Sequence, residues 1–91
     1  MGIKSELRKR QKIGIKTYGE SLSTDTAIDA RVYALEEALD LLIYLELLAM
    51  QKEGKRGDAF LSLNQRIDAG GLTFIQALTV EIIRELGVPN V

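Results

Sequence analysis

The residues best able to do chemistry in this chain lie in "YALEEALDLLIYLELLAM", positions 33–50, where Glu36, Glu37 and Asp40 sit together in a mostly aliphatic run. At about 100° per residue, Asp29, Tyr33, Glu36, Glu37, Asp40 and Tyr44 fall within one arc of about 100°, with Ala38, Leu42, Leu45 and Ala49 on the opposite side. Glu37 and Asp40 are an i, i+3 pair and Glu36 and Asp40 an i, i+4 pair, so their carboxylates can converge. Such a ridge of oxygens supplies part of the shell of a hard cation such as Mg²⁺, which keeps waters or substrate phosphates in its remaining positions. Tyr33 and Tyr44 flank the acids and offer aromatic faces to a base. The same pattern also describes the solvated face of an amphipathic helix.

A second group is basic. "RKRQK" places Arg8, Lys9, Arg10 and Lys12 together, followed by Lys16, Thr17 and Tyr18 in "KTYGESL". Arg8, Arg10, Lys12 and Lys16 are candidates for phosphate contacts and Tyr18 for base contact, guanidinium groups offering bidentate bonds to phosphate oxygens. Alternatively, the basic run is a solvated helix face or a partner for the acidic helix. Residues 1–19 carry a charge of +5 and residues 20–53 carry −6, while the rest balances. The chain as a whole carries −1, which argues against bulk nucleic-acid binding.

Composition narrows the chemistry further. The 91 residues include no Cys and no His, which excludes disulfides, thiolate metal sites, and Ser-His-Asp or Cys-His catalysis. Glu46 breaks the longest apolar run, so no stretch reads as a membrane span, and the basic N-terminus lacks an apolar signal core. The expectation is a soluble, cytoplasmic protein without membrane partners. "IDAGGL" is followed by no Lys-Ser/Thr, so it is no phosphate-binding P-loop.

The elements that must position these groups are helical. Leu, Ile, Ala, Glu, Lys and Arg dominate, and no strand alternation or internal repeat occurs. The spacing predicts a basic helix over 3–18 ending at Gly19. A second helix over 26–53 opens on a Thr26/Asp29 capping-box variant. A short helix over 58–69 has Asp58 as its cap, and a last helix over 73–86 opens on a Thr73/Gln76 capping box and is closed by Gly87 and Pro89. The expected fold is all-α, one domain of three to four helices. The second helix is longer than so small a globule needs, which points to a homo-oligomer, dimer or tetramer, packed through it.

Two blocks together carry a family resemblance. "KTYGESL" (Lys16–Leu22), about a dozen residues, and then "ALEEALDLLIYLELL" (Ala34–Leu48) resemble the small phage-encoded MazG-like proteins, relatives of the all-α nucleoside triphosphate pyrophosphohydrolases. The resemblance covers residues 16–48. It implies a site in which Glu and Asp of two neighbouring helices hold Mg²⁺ while water cleaves the α–β phosphate bond of a nucleotide. Glu37 and Asp40 match the second acidic motif, Glu-x-x-Asp, with Glu36 assisting. The first motif, Glu-x-x-Glu, has no counterpart, since Glu6 is followed by basic residues and Glu20 lies in the turn. The resulting expectation is a nucleotide-binding phage-type protein that sequesters a nucleotide, such as an immune signal of the bacterial host, without turnover. Two alternatives stay open: a Mg²⁺-dependent pyrophosphohydrolase whose site is completed across subunits, and a structural or protein-binding helical module.

Overall fold

The computed structural model describes residues 2–87; Met1 and the C-terminal end, including the expected helix stop at Pro89, lie outside the described residues. Four helices follow in order, α1 (Ile3–Tyr18), α2 (Ala30–Glu53), α3 (Ala59–Asp68) and α4 (Phe74–Glu85), with no strand among the described residues.

Local chemistry sets most of the boundaries. The Asp58 carboxylate accepts from the backbone N–H groups of Phe60 and Leu61, satisfying orphan donors of the first turn of α3. Thr73 and Gln76 form a reciprocal capping box at α4: the Thr73 hydroxyl accepts from the Gln76 N–H, and the Gln76 amide oxygen accepts from the Thr73 N–H. Gly19 ends α1 in the left-handed conformation, φ 79°, its N–H donating to the Ile15 carbonyl. The start of α2 departs from the sequence expectation. Asp29 is its cap, accepting from the N–H groups of Arg31 and Val32, and the helix begins at Ala30 rather than near Thr26. The Thr26 hydroxyl instead accepts from the Ser23 N–H, while the Thr26 N–H donates to the Ser23 carbonyl. A short hydroxyl side chain satisfied by its own loop has no reason to start a helix.

α2 is the element against which α3 and α4 pack. Ala38, Leu42, Leu63 and Ile83 form the buried cluster, joined by half-buried Leu35, Ile43, Leu72, Val80 and Leu86. Ala38 and Leu42 are on the side of α2 opposite its acidic arc, as their spacing requires. α4 runs antiparallel to α2. Arg31, in the first turn of α2, donates to the Leu86 carbonyl at the end of α4 at 2.8 Å, whereas Glu46, late in α2, meets Gln76 at the start of α4.

Glu46 is the polar centre of this packing. The sequence shows it only as a charge interrupting an apolar run, but its side chain is fully buried and ties three helices together. Arg66 of α3 grips it with two bonds, Nε to Oε1 at 2.7 Å and Nη2 to Oε2 at 3.1 Å. The Ser62 hydroxyl donates to Oε2 at 2.7 Å and the Gln76 amide to Oε1 at 2.8 Å. The Arg66 hydrogen bonds, aided by those from Ser62 and Gln76, outweigh burial and lower the Glu46 carboxyl to a pKa of about 2. Its partners lie sixteen to thirty residues away in sequence, beyond the reach of helix-period reasoning.

α1 is different. None of its residues is buried, and its Cα atoms stay more than 8 Å from those of the other three helices. The radius of gyration is 16.1 Å, against about 12 Å for a compact chain of this length.

Candidate functional site

The space between α1 and α2, floored by the loop that joins them, is a cleft of about 460 Å³ lined by Arg10, Gln11, Ile13, Gly14, Thr17, Tyr18, Leu22, Ile28, Tyr33 and Glu37. The volume falls within the range of small-molecule sites. The joining loop is held in shape by the Ser23–Thr26 hydrogen bonds and by Gln11, whose side-chain amide donates to the Ser21 hydroxyl at 3.0 Å. Gly14 leaves its part of the wall open, since a Cβ there would meet nothing within 4 Å.

Four of the sequence candidates converge on this cleft: Arg10, Tyr18, Tyr33 and Glu37. Tyr18 and Tyr33 are each 46% exposed, so their rings are available to a ligand while part of each rests on protein. The Thr17 hydroxyl donates to the Ile13 carbonyl at 3.0 Å and keeps its lone pairs for a donor in the cleft.

The remaining candidates do not line the cleft. Lys4, Arg8, Lys12 and Lys16 recur every fourth residue and form one ridge of α1, with Arg10 roughly opposite it at 100° per residue. Arg8, Lys12 and Lys16 are exposed on that ridge and do not line the cleft that Arg10 lines. Tyr44, 65% exposed, sits about three turns beyond Tyr33 on α2 and is likewise outside the cleft.

The acidic candidates separate as well. Glu36, Glu37 and Asp40 are all exposed, and only Glu37 turns into the cleft. Among the described residues no group of three or more acidic side chains gathers closely enough to hold a metal ion. Glu36, Glu37 and Asp40 lie on the exposed surface of α2. Glu46, the one acid that is enclosed, is saturated by Arg66, Ser62 and Gln76 and has no lone pair directed at a ligand.

What the cleft offers is recognition. One guanidinium supplies a fork for an anionic group, one carboxylate accepts from N–H or O–H donors, and two phenols provide stacking faces with polar tips. Ile13, Leu22 and Ile28 supply apolar wall. No helix among the described residues is long and apolar enough to cross a membrane. Comparison with protein-family models, with curated proteins and with solved structures finds no match.

Proposed function

We propose that this chain binds a nucleotide in the α1–α2 cleft and holds it without cleaving it. The observation that carries the reading is the convergence of Arg10 and Tyr18 of α1 with Tyr33 and Glu37 of α2 on a single cavity of about 460 Å³. Arg10 takes a phosphate, Tyr18 and Tyr33 take the base, and the Glu37 carboxylate accepts from the base edge or the ribose hydroxyls. A carboxylate in that role favours a base that presents N–H donors, as guanine does. The MazG-like pattern of residues 16–48 supports a phosphorylated nucleoside over other planar anions, and a phage-type protein that sequesters a nucleotide signal has no need of turnover. Hydrolysis draws no support from the three carboxylates of α2, which do not gather.

Calorimetric titration with a panel of linear and cyclic purine and pyrimidine nucleotides tests this. The expected result is saturable binding of at least one purine nucleotide with no phosphate or pyrophosphate released. Arg10→Ala weakens it about 10- to 100-fold, the range for a hydrogen bond to a charged group, and Lys12→Ala leaves it unchanged. The reading fails if no nucleotide binds, if Lys12→Ala weakens binding as much as Arg10→Ala does, or if product accumulates.

A further inference from the structure

The chain exposes 7424 Å², whereas a compact monomer of 10.1 kDa exposes about 5300 Å². The surplus of about 2100 Å² exceeds the roughly 800 Å² per partner that a stable interface covers. Part of it belongs to α1. Another part is apolar surface on the packed pair α2 and α4, where α2 shows Leu41 and Leu48 and α4 shows Phe74, Ile75, Leu78 and Ile82. All six are more than 40% exposed.

This face carries both a projection and a recess. Phe74, at the first position of α4, is 78% exposed, the largest apolar side chain with so little cover. Directly beside it is a groove of about 310 Å³ lined by Leu45, Leu48, Ala49, Lys52, Glu53, Thr73 and Ile75. A knob and a hole on one face are what a two-fold interface requires, since each copy inserts the knob and receives the other's. The edge carries both signs, Lys52 and Glu53 on α2 and Glu81 and Glu85 on α4, so a partner of uniform charge would leave one sign mismatched. With a net charge of −1, copies do not repel one another at long range.

We infer that this α2–α4 face is the pairing surface for a second copy of the chain, with Phe74 of each copy seated in the partner's groove between Leu45, Leu48 and Ile75. The inference is independent of nucleotide binding, because no residue of the α1–α2 cleft belongs to the face.

Sedimentation of the full chain over a micromolar dilution series reads the result directly. The wild type is expected at about 20 kDa, two copies of a 10.1 kDa chain. Phe74→Ala should weaken the association at least about 30-fold, the scale of an aromatic hot spot, and Leu48→Glu should abolish it. Phe74 is nearly free of its own protomer, so its truncation spares the fold, and the helical circular dichroism signal should match the wild type. This keeps the test decisive even where Leu48→Glu perturbs folding. The melting temperature of the wild type should also rise with protein concentration. A wild type that sediments at 10.1 kDa with a concentration-independent melting temperature overturns the inference. So does an association that Phe74→Ala leaves within about threefold of the wild type.

Discussion

Replacing Glu46 by Gln removes one charge from the buried junction of α2, α3 and α4 and changes almost nothing else in shape. The amide oxygen can still accept, but whichever position the amide nitrogen takes, it points a donor at Arg66, which has no acceptor. Arg66 is left with Glu53 at 3.7 Å and the Gly71 carbonyl at 3.4 Å. Breaking a buried pair from one side costs about 3–5 kcal/mol, and the residual 16% exposure of the Arg66 side chain places the expected cost near 3 kcal/mol. Proton linkage reaches a similar magnitude independently. Lowering the Glu46 carboxyl from 4.5 to about 2, through Arg66 foremost, corresponds to about 3 kcal/mol of stability. The folded state holds this proton less tightly than the unfolded chain does. The contribution is therefore whole above pH 4.5, declines as the pH falls, and is lost below about 2. About 2 kcal/mol of it is gone by about pH 3. Urea unfolding of both proteins, near neutral pH and again at about pH 3, measures this: the variant should be about 3 kcal/mol less stable at neutral pH, and the gap should shrink to about 1 kcal/mol in acid. If the two stabilities fall in parallel with pH, Glu46 is not the group that couples the fold to protons, and the account of the junction is wrong.

Other outcomes follow from the same contacts. Asp29→Ala, which removes the acceptor for two N–H groups of α2, should lower stability by about 1 kcal/mol in thermal or urea unfolding, whereas Thr26→Ala should cost less because it disturbs only a loop bond. Hydrogen exchange followed by mass spectrometry should find α1 amides exchanging much faster than those of α2 and α4, since α1 buries no side chain. Addition of a purine nucleotide should slow exchange in α1 and in the first turns of α2 while leaving α3 unchanged. Tyr33→Ala should weaken nucleotide binding about tenfold in calorimetry, in line with the stacking energy of about 1–3 kcal/mol per base, and Tyr44→Ala should have no effect.

The parts of this fold legible in the sequence are those whose causes are local. Asp58, Thr73 with Gln76, and Gly19 each act on a backbone group within a turn of themselves, so residue type and spacing suffice to locate them. Thr26 misleads because two hydroxyl-bearing residues in one loop can satisfy each other, and only the folded loop shows that they do. Glu46 is illegible for a different reason: its partners Ser62, Arg66 and Gln76 come from two other helices, and a single acid in an apolar run looks the same whether it is wet or enclosed. At the candidate site, types and positions were readable but grouping was not. Arg10 and Lys12 differ by about 200° around α1, enough to separate a cleft residue from a solvent-facing one, yet the direction of the cleft depends on where the 20–29 loop returns the chain.

The cleft and the core share no side chain: Ala38, Leu42, Leu63 and Ile83 stand apart from Arg10, Tyr18, Tyr33 and Glu37. Substitutions in one set should then act additively with those in the other. On the proposed reading, substitutions in the cleft change what is bound without approaching the threshold at which the fold fails. Half of the cleft's polar set, Arg10 and Tyr18, sits on α1, a helix that buries none of its side chains, so those two positions are free to change without touching what holds α2, α3 and α4 together.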